Sequence, residues 1–134
     1  MQHVVLDTNV IFSALYSHNS NPPSLLVDMF LKNKFLLYVS TAVIEEYEEV
    51  LHRPKYEKII SKYEADYIIM VIKAISIHIN PLISTMPQFI DEADRKFYDL
   101  AKASNAYLVT GNTKHFPQDD YIITPADFLK ISLK

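Results

Sequence analysis

The chain has 134 residues, 49% of them hydrophobic, enough to bury one sizeable core without covalent staples. It lacks cysteine, which excludes disulfides and thiolate metal sites and leaves oxygen or imidazole as donors to any metal. A formal charge of -3 argues against non-specific coating of nucleic acid, and a lone glycine, Gly111, excludes a glycine-rich phosphate loop. With no apolar run of bilayer length and no secretory signal pattern, the expectation is a cytoplasmic protein without a membrane partner.

Short β-rich runs alternate with longer helical patterns, predicting one α/β domain over residues 1–134 with a central, mainly parallel sheet. His3 to Leu6 is the first strand and Asn9 to Tyr16 the first helix. SHNSNPPS breaks that helix, Ser24 to Lys32 forms a second, and Phe35 to Val39 is the second strand. Ser40 or Thr41 caps a helix whose apolar residues Val43, Ile44, Tyr47 and Leu51 recur at helical spacing until Pro54. Lys55 to Ser76 is mostly helical in two pieces; its DYIIMVIKAI stretch is apolar enough for a buried helix or a dimer face. Ile77, Ile79 and Leu82 mark a short strand, followed by a connection carrying Pro81 and Pro87. Ala93 to Ser104 is helical, Tyr107 to Thr110 and Ile122 to Thr124 are strands, and Pro125 opens a closing helix. The terminal ISLK is expected to fray.

In an open parallel sheet, ligands gather outside the carboxyl ends of the strands. Asp7 sits at the end of the first strand, where the plainer alternative is that Asp7 or Asn9 caps the next helix, worth about 1 kcal/mol. In EEYEEVL, Ile44, Tyr47 and Leu51 share one helix face; Glu46 lies at its edge, while Glu48 and Glu49 point further out. Asp91 and Asp94 open the helix carrying Phe97 and Leu100, where the helix dipole favours carboxylates. Asp99 is rotated roughly 140° from Asp94 and is a weaker candidate for a shared ion. At the end of the YLVT strand, Gly111 is expected to supply a turn conformation that strains other residues, and Asn112 offers an uncharged carbonyl oxygen. Convergence of Asp7, Glu46, Asp94 and Asn112 would make a cup for a hard cation, Mg²⁺ or Mn²⁺.

VVLDTNVIFSAL, STAVIEEYEEVLHRPKY and DEADRKFYDLAKASNAYLVTGNTKHFP, in that order, resemble the PIN-domain family, most nearly its toxin components of prokaryotic toxin-antitoxin pairs. The resemblance spans essentially the whole chain. It implies a three-layer α/β/α sandwich and a metal-dependent ribonuclease that acts on RNA. Carried over by position, the acids are Asp7, Glu46 (with Glu45 if the register slips) and Asp94, and these are the catalytic candidates. The family's fourth acid is replaced by Asn112, with Asp91 and Asp99 as the candidates to compensate; loss of that charge weakens a second metal position more than the first. The family commonly forms homodimers, and its toxins bind a cognate antitoxin.

Thr8, Asn9 and Thr110 are candidates to orient the acids or water from a second layer. Candidate RNA contacts are Arg53, Lys55, Arg95 and Lys114, with Lys58, Lys62, Lys96 and His115 beside them. His18, His52 and His115 form no metal cluster by spacing. His78 is expected to be a structural strand residue. Tyr47, Phe97 and Phe128 are assigned to the core, and Tyr16, Tyr56 and Tyr63 to exposed faces. Asn112 keeps open a second reading, a PIN-like module that binds RNA or protein without cleaving it. A phosphohydrolase or phospho-receiver that uses Asp7 as nucleophile fits less well, because DTN lacks the second aspartate of the former and the chain lacks the paired acids of the latter.

Overall fold

In the computed structural model, which describes residues 1–17 and 21–132, five short strands form one all-parallel sheet in the order β3-β2-β1-β4-β5. The strands are β1 (His3–Leu6), β2 (Leu36–Val39), β3 (Ile77–His78), β4 (Tyr107–Val109) and β5 (Ile122–Ile123). The register pairs Val4 with Leu37 on one side of β1 and Val5 with Leu108 on the other. Such a central strand is covered on both faces, which is why Val4, Val5 and Leu6 are consecutive apolar residues and all buried.

Among the described residues, six α-helices flank the sheet in an α/β/α arrangement: α1 (Thr8–Ser17), α2 (Pro22–Leu31), α3 (Thr41–Leu51), α4 (Lys62–Ile75), α5 (Arg95–Ser104) and α6 (Pro125–Ser132). Their starts follow local chemistry. Asn21 Oδ1 accepts from Ser24 N at 3.0 Å ahead of Pro22 and Pro23, and Ser40 Oγ accepts from Val43 N at 3.1 Å. Ser61 and Glu64 form a capping box. Pro125 opens α6 at its first turn as the sequence predicts. Tyr47, Phe97 and Phe128 are fully buried in the core.

Lys55 to Ser76 is divided, as predicted, into two pieces, the first of them only a 3-10 turn. A 3-10 turn covers Pro54–Tyr56, and α4 begins only after Ser61, because the Ser61–Glu64 box starts a new helix there. α4 buries Ala65, Ile68, Ile69 and Ile72 and exposes Tyr63, Tyr67 and Met70. The predicted third strand keeps two residues, both exposed, and Leu82 lies outside it at 94% exposure. α5 starts at Arg95 rather than Ala93, since Glu92–Asp94 form a 3-10 turn capped by Asp91. Tyr16 and Tyr63 are exposed as predicted, whereas Tyr56 packs on Phe12 with ring centroids 4.5 Å apart. Residues 18–20 of the SHNSNPPS break, His18 among them, and the last two residues of ISLK lie outside the described residues. No described helix is long and apolar enough to cross a membrane.

Candidate active site at the carboxyl end of the sheet

From β1 the chain runs to β2 and β3 on one side of the sheet, then crosses to β4 and β5 on the other. Connections diverge at such a reversal, opening a crevice between the carboxyl ends of β1 and β4. Asp7 enters it directly. Its backbone carbonyl accepts from Val10 N at 3.0 Å and so begins α1, while its N–H donates to Val109 O at 3.0 Å. The carboxylate instead turns across the crevice, where its Oδ2 accepts from Thr110 Oγ1 at 2.7 Å and from Asn9 Nδ2 at 3.3 Å. The helix-capping alternative accounts for the backbone of Asp7 and for the Thr8 N–H that reaches its carboxylate, but not for the bonds to Thr110 and Asn9 across the crevice.

Thr110 Oγ1 also accepts from Asn112 N at 3.0 Å, and Asn9 Oδ1 accepts from Gly111 N at 3.3 Å. Thr110 and Asn9 thus bind Asp7 and the turn after β4 into one network. Burial pushes the Asp7 carboxyl up from 3.8 to about 6; the Thr110 hydrogen bond opposes this, and the charges of Asp94 and Glu46 add to it.

Glu46 arrives on α3, as the face analysis predicts, and Glu45 is exposed. Glu46 Oε2 accepts a short hydrogen bond from Thr8 Oγ1, and Oε1 accepts from Lys96 Nζ at 2.7 Å. The neighbouring Tyr47 hydroxyl donates to the Leu6 carbonyl at 2.5 Å, pinning α3 to the last residue of β1. Burial, then the charges of Asp7 and Glu46, hold the Tyr47 phenol well above its usual range, so it stays a donor.

Asp94 closes the 3-10 turn before α5. Its Oδ2 is buried without a hydrogen-bond partner, and His115 Nδ1, at 3.5 Å, is too distant for a well-formed bond. Burial raises its pKa, followed by the charge of Asp91; the nearby His115 opposes the rise, and Glu46 adds to it. The fold therefore brings Asp7, Glu46 and Asp94 within electrostatic reach of one another from three separate segments.

Other candidates go elsewhere. Asp99 is buried on α5 and accepts from Ser84 N at 3.0 Å, which anchors the connection before α5. Arg95, placed on an RNA-binding rim by the sequence, is buried instead. Its guanidinium pairs with Glu92 (2.7 Å), donates to Ser84 Oγ (2.9 Å) and to the Pro87 carbonyl (2.8 Å), and lies over the Phe89 ring. Asp91 is exposed and accepts from Ala93 N, contributing charge near Asp94. Asn112 is exposed at the end of β4. Gly111 does not adopt a positive φ, and a Cβ there would meet Asn9 Oδ1 at an ordinary 3.7 Å, so the turn needs no glycine conformation.

Of the basic residues, Arg53 is paired with Glu49 at 2.8 Å and Lys55 lies over the Tyr56 ring. Lys114 is exposed on an open groove lined also by Phe116, Asp119 and Asp127. His52 bridges Glu48 O and Asp66, and the exposed His78 contacts Lys73 O. The sequence did not reveal the partners of Lys96 and His115, because Lys96 meets Glu46 across 50 positions and no periodicity links them.

The donors are all hard oxygens, which suit Mg²⁺ or Mn²⁺, and the orphaned Asp94 Oδ2 is an atom such an ion would satisfy. A finished coordination shell is not preformed: among the described residues no three His, Asp or Glu side chains stand in that arrangement. Both oxygens of Glu46 are taken, by Thr8 and by Lys96.

An all-parallel five-stranded sheet with acids from after β1, from α3 and from the start of α5 gathered at the β1/β4 reversal defines an α/β/α domain of the PIN kind. The family model described as the PIN domain matches residues 3–114, and the chain belongs to that family. An uncharacterised protein of Methanocaldococcus jannaschii is 32% identical over 110 residues, covering 81% of this chain and 70% of the relative. Among solved structures, VapBC2 from Rickettsia felis, bound to a DNA fragment from their promoter, superposes with a TM-score of 0.61. That match has 20% identity and covers 92% of this chain and 97% of the other, which establishes a shared fold.

Proposed function

We propose that the protein is a Mg²⁺- or Mn²⁺-dependent endoribonuclease and the toxin of a toxin-antitoxin pair. The observation that carries this reading is the electrostatic proximity of Asp7, Glu46 and Asp94, whose buried Oδ2 lacks a well-formed hydrogen bond, at the sheet's reversal point. Three like charges in one half-buried crevice repel, and a hard dication is the group that turns this repulsion into attraction. Membership of the PIN-domain family and the fold shared with a VapBC complex support the same assignment.

In this mechanism Asp7, Glu46 and Asp94 would hold the ion, which supplies Lewis-acid polarisation of the phosphodiester and a lowered pKa for water. Thr110 and Asn9 fix the Asp7 carboxylate so that it reaches the crevice in one orientation. With the ion held there, one of the three carboxylates would be placed to accept a proton from the attacking water. Burial of Thr110 and Tyr47 keeps solvent away from the strand side of the crevice. Asn112 leaves one side without charge, which favours a single ion over a pair.

The antitoxin partner and a homodimer belong to this proposal. The test is cleavage of RNA with added Mg²⁺ or Mn²⁺ and with chelator. Cleavage should fall by on the order of 100-fold or more in Asp7→Asn and Asp94→Asn. Equal RNA binding without cleavage in any divalent metal would instead favour the non-cleaving module that Asn112 keeps open.

A further inference from the structure

Glu46 is already paired. Lys96 Nζ donates to its Oε1 at 2.7 Å and to the Ala93 carbonyl at 2.9 Å, and lies 5.6 Å from the centre of the Phe97 ring. Both partners are largely sheltered, with 27% of the Lys96 side chain and 21% of the Glu46 side chain exposed. Lys96 follows Asp94 by two residues on the element that brings Asp94 to the crevice. Its ammonium therefore stands beside Glu46, one of the carboxylates that a dication would neutralise, tethered by a backbone carbonyl and an aromatic face.

We infer that Lys96 is an internal cation that competes with the divalent metal for Glu46 and sets how much metal the protein needs. This rests on the metal-dependent reading above and names a control element within it. A tethered ammonium is present at high local concentration whatever the solution contains. Metal binding through Glu46 must then overcome both the loss of the Lys96 pair and repulsion between two cations. With Lys96 in place, Glu46 already has a counter-charge; without it, the acids lack that charge and hold a dication more tightly.

The experiment measures Mn²⁺ binding by the loss of the free-ion electron paramagnetic resonance signal, with RNA absent. Proteins compared are the parent, Lys96→Met, Lys96→Arg, Asp7→Asn, Glu46→Gln and the Lys96→Met/Glu46→Gln double variant, each checked for fold by circular dichroism. Lys96→Met should bind Mn²⁺ on the order of tenfold more tightly, the size of a charge interaction of about one pKa unit. Lys96→Arg, which keeps the charge, should behave as the parent. The gain should vanish in the Glu46→Gln background, because the competition is for that carboxylate and not a general field effect. Parent binding that depends on Asp7 but is unchanged or weakened in a folded Lys96→Met protein overturns the inference and leaves the nuclease reading standing. A gain that persists in Glu46→Gln also overturns it. If no variant binds Mn²⁺, both fall together.

Discussion

Replacing Asp7 with asparagine should stabilise the metal-free protein. The Asp7 carboxyl titrates at about 6 in the folded chain against 3.8 when unperturbed, a rise of about two units caused first by burial. At 1.36 kcal/mol per unit, ionised Asp7 costs the native state about 3 kcal/mol at neutral pH. The sign follows from the raised pKa: stability is full below pH 3.8, is lost as pH rises through about 6, and stays lost above it. An asparagine oxygen can still accept from Thr110, so the charge is the main thing removed. For a chain of this size the gain corresponds to about 10 °C in Tm. The assay is thermal unfolding in chelator from pH 4 to 8. The Asp7→Asn advantage should be absent near pH 4, grow between pH 4 and 6 and level off above. Mn²⁺ at about 1,000 times its Kd should reverse the ranking, since a ligand at that excess stabilises the form that binds it by about 4.1 kcal/mol. An Asp7→Asn protein no more stable than the parent at pH 7.5, or a difference that ignores pH, would refute the reasoning.

Other perturbations probe the scaffold. Tyr47→Phe deletes the buried donor to the Leu6 carbonyl and should cost about 1–3 kcal/mol by urea unfolding, since that oxygen loses a partner inside the core. His52 donates from both ring nitrogens, to Glu48 O and to Asp66, so the imidazolium is the bonded form. Its pKa is raised, first by the Glu48 carbonyl bond and then by Asp66; its contribution to stability is present below pH 6.5 and lost as pH climbs through the raised value. Urea unfolding of Asp66→Asn should show less of that loss between pH 6 and 9 than the parent. Arg95→Lys keeps the charge but forfeits the fork that joins Glu92, Ser84 and Pro87. Limited proteolysis should then cut faster between residues 82 and 91, while RNA affinity is unchanged.

The parts of the site legible in the sequence are those set by local rules. An apolar β-branched run ending in Asp7 marks a strand terminus, and helical spacing around Ile44, Tyr47 and Leu51 puts Glu46, not Glu45, at the edge of the buried face. Long-range partners leave no such trace. Asp99 and Arg95 look like ordinary helix charges until Ser84 folds back onto them, and Lys96 looks like a rim lysine until Glu46 is seen opposite it. Gly111 was over-interpreted because composition makes a lone glycine conspicuous, whereas side-chain bonds from Asn9 and Thr110 hold that turn. The division of Lys55 to Ser76 into two pieces is legible, but its position is not, because apolar Ile59 and Ile60 continue the periodicity up to the Ser61 cap that restarts the helix.

The most direct measurement is a crystal structure of the protein soaked in Mn²⁺, with data collected for anomalous scattering from the ion. The account predicts an anomalous peak between Asp7 and Asp94, about 2.0–2.3 Å from a carboxylate oxygen of each. Lys96 should be drawn back from Glu46 in that structure. A crevice that stays without a peak at millimolar Mn²⁺, or a peak bound only at other carboxylates, would contradict it.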